Sequence, residues 1–418
     1  MTQYNSLNLL GLVILLVLHS MVLYRPAHAQ SEGFEAAIRA TLTQHPSLSS
    51  KRSAVAAKGY VVESVRTQRL PTMSAQVAVQ DDGSQPGSVR ARQPLWAFGR
   101  IDSAIAFADV DVLVEQADLN RLQRQLMDQT AVAYARIWGI RQRLRVAKDN
   151  VSEMDKLYQQ IQRREQSQFA SQADVRLALA RWVQARAQQN RFEGELTVAL
   201  AELHALTQAP VMSDQPIPES FIQLPAAEEV HSLAQLHSAD IHLGAQRVLL
   251  SEADVKREQV APMPTIFLQA DHNFNQENLG NNTRVGVVFE GSLEGMGFAA
   301  SGRGKAARSR LLANQDDLVA MRNETRRSVS NLYSNRDLQQ DLINSQALSV
   351  GELSEILASY QRQYQSGHKA WQDILNMQRE LSEQRLQQVQ AENDWLVFTL
   401  KLVTLIGGLD SFISNVEE

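Results

Sequence analysis

With 418 residues, 44% of them apolar and 21% charged, the chain is long enough for several domains and too apolar to stay disordered. A formal charge of −5 argues against a nucleic-acid partner, and the absence of cysteine excludes disulfides, thiolate metal sites and cysteine nucleophiles. Only 20 glycines and 11 prolines favour long regular elements over loops.

The N-terminus carries an apolar run from Leu9 to Leu18, then the small-x-small pattern Ala27-His28-Ala29. Residues 1–29 therefore read as a secretory signal, with Gln30 opening the mature chain. No Lys or Arg precedes the apolar run, so a misassigned start or a retained anchor stays open. Beyond residue 30 there is no apolar run of about 18 residues, the length a helical span requires. Any passage through a membrane must use β-strands.

Next comes a helical opener over 31–69, then period-two alternation. Met73, Ala75, Val77 and Val79 alternate with Ser74, Gln76, Ala78 and Gln80. Asp82-Gly83 and Pro86-Gly87 supply a turn, and 88–95 returns, giving a β-hairpin over about 72–95. Then Ile105, Val112, Leu119, Leu126, Ala133, Ile140, Ala147, Met154 and Ile161 recur every seven residues with no proline between Pro94 and Pro210. A 3.5-residue stripe marks a helix packing as a left-handed coiled coil. Over 99–165 it would be roughly 100 Å long at ~1.5 Å per residue. A short connector, 166–171, leads to a second helix over 172–208 with the row Val175, Trp182, Gln189, Leu196 and Leu203. A segment over 209–226 holding Pro210, Pro216, Pro218 and Pro225 ends this half.

The second half repeats the first. Tyr134, Asp174, Gln189, Leu203 and Leu206 match Tyr333, Asp373, Gln388, Leu402 and Leu405 at a constant offset of 199, and Asp118-Leu119 matches Asp317-Leu318. Near the start of each half the register drifts, Pro71-Thr72 answering Pro264-Thr265. The elements are an opener over 227–260, a β-hairpin over about 264–293, a long helix over about 298–364, a connector over 365–370 containing Gly367, and a helix over 371–408. Residues 409–418 form a tail. In the hairpin, Ile266, Leu268 and Ala270 alternate with Phe267, Gln269 and Asp271, and Val285, Val287 and Phe289 follow an Asn/Gly-rich turn. Ile374, Leu381, Gln388, Trp395 and Leu402 form the row of the last helix, again with glutamine at its third step. A polar seam residue of this kind fixes register.

One chain thus offers about four strands, each with one apolar face. An open sheet edge in lipid leaves backbone groups unpaired at several kcal/mol each. Two chains would give eight strands and a filled interior, and three would give twelve and a pore. A symmetric homo-oligomer is required.

The two-fold repeat, His45-Pro46 in the first opener, Gln93-Pro94-Leu95-Trp96 leading into Phe98-Gly99-Arg100, Tyr364-Gln365-Ser366-Gly367 followed by Asp373, and Leu405-Ile406-Gly407-Gly408 together resemble the TolC-like outer-membrane factors over nearly the whole mature chain. The resemblance implies a mainly α fold with a membrane β-barrel. In it a homotrimer builds a helical tunnel across the periplasm, joined to a twelve-stranded barrel in outer-membrane lipid, four strands per chain. It also implies a passive duct of a Gram-negative cell for type I protein secretion or small-molecule efflux, with a periplasmic adaptor docked at the hairpin tips and an inner-membrane pump of ABC or RND type behind it. No cofactor and no catalysis are implied.

By position, the resemblance places a periplasmic gate at Asp174, Tyr364, Lys369 and Asp373, and adaptor-contacting tips at Gln168 and Gly367. Tyr364 and Lys369 are expected to contact Asp174. Lys369 stands where the family has arginine, and a point-charge ammonium makes a weaker latch than a planar fork. Three Asp373 carboxylates would ring the narrowest point and select cations. Asn376 replaces the second acid of that ring.

Plainer readings stand beside these. Asp174 and Asp373 fall in a first helical turn, where acids offset the dipole. Tyr364 can be packing, and Lys369 a solvated charge. Trp182, Trp371 and Trp395 fit core positions, while Trp96 and Phe98 fit either an interfacial girdle or the junction of barrel and tunnel. His231, His237 and His242 lie near one another without a carboxylate at ligand spacing. Gly302-Arg303-Gly304-Lys305 lacks the phosphate-loop spacing. The competing functions are an exported coiled-coil scaffold without a pore, which leaves the repeat and both hairpins unexplained, and an exported enzyme.

Overall fold

The computed structural model describes residues 33–78, 85–274, 282–292 and 294–417. The expected signal segment, Val79 and both strand-hairpin turns at 79–84 and 275–281 lie outside them. The elements are α1 (Gly33–Gln44), α2 (Pro46–Arg66), β1 (Thr72–Val77), β2 (Gly87–Trp96), α3 (Arg100–Gln166), α4 (Gln172–Thr207), α5 (Ala227–His237), α6 (Ala239–Val260), β3 (Thr265–Phe274), β4 (Asn282–Glu290), α7 (Phe298–Gln365), α8 (Trp371–Leu405) and α9 (Ser411–Glu417). Among the described residues no helix is long and apolar enough to cross a membrane.

The openers expected as single helices over 31–69 and 227–260 are each broken in two. At the first break Pro46 has no N–H to continue the ladder and takes the first helical position of α2. His45 caps that end, its Nδ1 accepting from the Ser47 N–H at 3.3 Å. At the second break Ser238 plays the same part, its Oγ accepting from the Ile241 N–H at 3.4 Å. The separation of His45 and Ser238 equals that of Pro71 and Pro264, so both openers break at the same step of the repeat.

The described residues fall into two units. One comprises 33–41, 130–220 and 348–393. Its core joins Met154, Leu157 and Ile161 of α3, Ala178 and Ala185 of α4, Leu357 of α7, and Trp371, Ile374, Leu375 and Leu381 of α8. Of the nine stripe residues on α3, only Val112 is not buried. On α4 the expected row is mostly half-buried. The deeply buried row is Ala178, Ala185, Phe192 and Ala199, in which small side chains let neighbouring helices approach. Gln189 and Gln388 each bond a glutamate one turn on, Glu193 at 2.8 Å and Glu392 at 3.0 Å, so both satisfy themselves along their own helix. Tyr134 is fully buried, edge-on to Phe34 at 5.5 Å, and its Oη donates to the Gln215 carbonyl at 2.9 Å. Burial, followed by the nearby Asp214 charge, pushes its phenol up to about 12.

The other unit comprises 42–129, 221–347 and 394–417. It contains the sheet, antiparallel in the order β1-β2-β3-β4, so that the β2–β3 pairing joins the two repeats. Register puts Met73, Ala75, Val77, Val89, Ala91, Leu268, Ala270, Val285, Val287 and Phe289 on one face, and Ser74, Gln76, Ser88, Arg90, Arg92, Gln269, Asp271 and Arg284 on the other. The apolar face is open: Met73, Val285, Val287 and Phe289 are each more than 65% exposed. After β2 and again after β4 the chain turns through left-handed residues, Phe98-Gly99 (φ 48° and 84°) and Gly295-Met296-Gly297 (φ 56°, 58° and 89°). Trp96 and Phe98 meet edge to face at 6.1 Å. The residues over 409–418 expected as a tail include α9, whose Phe412 is buried against Phe221 at 5.6 Å. Asp410 there is ion-paired with Arg124.

Candidate functional site at the helical hairpin tips

The two connectors between long and short helices are built alike. At the first, Phe169 N–H bonds the Arg164 carbonyl and Gln168 N–H the Glu165 carbonyl, both at 2.8 Å. At the second, His368 N–H bonds Gln363 at 2.9 Å and Gly367 N–H bonds Tyr364 at 3.1 Å. This 6→1 plus 5→2 pattern ends a helix with one left-handed residue, here Gln168 at φ 63° and Gly367 at φ 80°. Gln168 therefore holds the glycine conformation without being glycine, at a cost of about 1–2 kcal/mol.

The helices leaving the tips start differently. Ser171 and Asp174 form a reciprocal capping box: the Asp174 N–H bonds Ser171 Oγ at 3.1 Å, and the Ser171 N–H and Oγ reach Asp174 Oδ2 at 3.3 and 2.7 Å. At the second tip Ala370 offers no side-chain acceptor. Only the return half remains, Ala370 N–H to Asp373 Oδ2 at 3.4 Å. Lys369 Nζ lies 3.7 Å from Asp373 Oδ2 and 4.1 Å from the Tyr360 ring centre.

The expected contacts of Tyr364 and Lys369 with Asp174 are not made among the described residues of one chain. The Asp174 carboxylate is turned back onto its own cap, and Lys369 reaches Asp373 and the Tyr360 ring. Tyr364 instead stacks against Trp371 at 5.3 Å, and the Arg164 guanidinium lies 4.6 Å above its ring. Tyr364 and Trp371 both join the core beneath the tips. Arg164, Arg163, Gln160, Ser167, Phe169 and Tyr364 line a cleft of about 400 Å³ between the first tip and the end of α7. Phe169 is 80% exposed.

Arg164 was not legible as a site residue. Its only sequence signal is a basic pair, Arg163-Arg164, in the last turn of a helix, where cations answer the dipole generally. The tips carry one acid each at the third helical position, and at the second tip the Ser366 hydroxyl lies 3.0 Å from His368 Nδ1. Among the described residues no group of three or more His, Asp or Glu side chains is placed to hold a metal.

Comparisons with known proteins bear on the whole chain. The model of the family described as "Outer membrane efflux protein" matches residues 37–208 and 230–408. Of the curated proteins, none matches the sequence. Several solved structures share the fold. The outer-membrane channel OprN is 18% identical with a TM-score of 0.74, the match covering 90% of each chain. The outer membrane protein VceC from Vibrio cholerae is 16% identical with a TM-score of 0.76, over 90% of this chain and 96% of that one. The MtrE outer-membrane channel of Neisseria gonorrhoeae, solved in an open state, is 16% identical with a TM-score of 0.74, over 90% and 88%.

Proposed function

This chain belongs to the outer membrane efflux protein family, and from that premise we propose that it is the duct of a tripartite export machine, working as a homotrimer. It is an outer-membrane channel with a periplasmic portion, TolC-like in fold, and not an enzyme. The observation that carries the trimer is the sheet. It has four strands, its outer strands β1 and β4 each pair on one side only among the described residues, and the face with Met73, Val285, Val287 and Phe289 leaves these apolar side chains open. In lipid that apolar face would be solvated by acyl chains and the polar face would line water. The open edges must then pair with other copies, and three chains make twelve strands with a pore.

Residues 1–29 are read as the export signal. Residues 30–208 and 227–408 are read as two structural repeats joined by the proline-rich connector 209–226. A periplasmic adaptor docks at the tips around Gln168 and Gly367, and an ABC or RND pump in the inner membrane works through it. Asp174, Tyr364, Lys369 and Asp373 form the gate, to which Arg164 is added as the clasp on Tyr364. The pump sets the passenger: the same duct serves small molecules and secreted polypeptides, and efflux is the reading that the family membership supports first.

The test is conductance of the purified, detergent-extracted protein in a planar bilayer. Long-lived openings blocked by divalent cations from the tip side are expected. A protein that fractionates without membrane and conducts nothing would leave the coiled-coil scaffold as the better account.

A further inference from the structure

Every acid and every arginine on the described strands lies on the polar face of the sheet. There are three arginines, Arg90, Arg92 and Arg284, against two acids, Asp271 and Glu290. Register aligns Ser74, Arg90, Asp271 and Arg284 in one row across all four strands. Both acids are already engaged. Asp271 accepts from Arg90 Nε and from Gln269 Nε2, each at 2.6 Å, and Glu290 lies 2.9 Å from Arg92. Arg284 is exposed and, among the described residues, has no carboxylate within ion-pair reach.

A ladder of ion pairs serving only to hold the sheet would match its charges. Here one guanidinium is left over, two strands from Arg90 and therefore about 10 Å away at the backbone. From this juxtaposition we propose that the barrel lumen holds a binding site for small multivalent oxyanions, made by Arg284 with the free N–H groups of Arg90. The site rests on the duct reading, in which the polar face lines the pore.

Three copies bring three unmatched guanidinium groups to one level. Planar forks suit carboxylate and phosphate oxygens, and a narrow pore between low-dielectric walls concentrates their field. The sign is opposite to that of the Asp373 ring.

The experiment uses the full-length protein in planar bilayers, with inorganic pyrophosphate added on the barrel side and divalent cations on the tip side. Pyrophosphate is expected to block from the barrel side, and Arg284→Gln to raise the half-blocking concentration about tenfold. Arg284→Lys should recover part of the block. Arg284 makes no ion pair in the sheet, so its variants should assemble normally, which gel filtration checks. Channels that conduct and respond to divalent cations but ignore pyrophosphate, or that are blocked equally with Arg284→Gln, overturn the site and leave the duct standing. Assembled, membrane-inserted protein with no conductance overturns both.

Discussion

The clasp between Arg164 and Tyr364 allows a quantitative test of the proposed gate. A guanidinium over an aromatic ring contributes ~0.5–1 kcal/mol when exposed and ~2 kcal/mol when desolvated. Both groups here are half-buried, 4.6 Å apart, so about 1 kcal/mol is expected, or a factor of about five in the ratio of separated to joined tips. Tyr364→Leu also removes the ring contact with Trp371, worth another ~0.5–1.5 kcal/mol. Arg164→Gln should therefore raise resting open probability about fivefold, and Tyr364→Leu more. The double variant should be no leakier than Tyr364→Leu alone, because the clasp can be lost only once. Single-channel recordings of the four proteins complete the cycle. Strictly additive effects, or a resting open probability unmoved by Arg164→Gln, would refute the clasp.

Gln168→Gly should stabilise the first tip by about 0.5–1 kcal/mol, the left-handed cost removed being partly offset by the freer unfolded chain; Gly367→Gln should do the reverse, and amide exchange in the last turns of α3 and α7 would show the opposite signs. Gly139→Ala places a Cβ 2.2 Å from Asn393 Oδ1, an overlap costing about 1–3 kcal/mol; a lowered thermal midpoint restored by adding Asn393→Ala is expected, and no restoration would locate the strain elsewhere. Tyr134→Phe should cost about 1 kcal/mol through the lost bond to Gln215. Because the folded phenol titrates at about 12, above its ordinary value, its contribution is complete below about pH 10 and falls as pH rises toward 12. The variant should therefore lose less stability than the parent across that window in urea titrations.

The first long helix was legible because nine apolar residues in one heptad row mark a packed helix, and burial of all but Val112 follows from it. The alanine row of α4 was not, since alanine is neutral in any apolar pattern and only the partner's proximity makes Ala178 or Ala185 a core residue. Pro46 announces the first opener's break by lacking an N–H, whereas Ser238 is one serine among many until its hydroxyl is seen on the Ile241 amide. At the tips, the family resemblance gave the positions of Gln168 and Gly367, and both adopt the left-handed conformation that such a turn needs. The partners of Tyr364, Lys369 and Asp174 could not be read, because each side chain of the tip chooses between local and cross-helix contacts by geometry of a few ångströms. Asp174 chose its cap because Ser171 precedes it by three residues. Asp373, with Ala370 in that place, kept its carboxylate available to Lys369.

The two repeats have diverged in a way that bears on assembly. The stripe of α3 is covered within one chain, but α7, its counterpart, leaves Leu312, Val319, Leu338 and Leu348 each more than half exposed. Fully burying a leucine contributes ~1.5–3 kcal/mol relative to leaving it in water, so four such side chains on one helix represent a substantial unrealised stabilisation. A second copy of the same chain offers a helical surface long enough to cover them. The open edges of β1 and β4 make the same demand at the sheet. Exposed apolar side chains on α7 and unpaired strand edges thus ask independently for copies of this chain, the demand that the proposed trimer would answer.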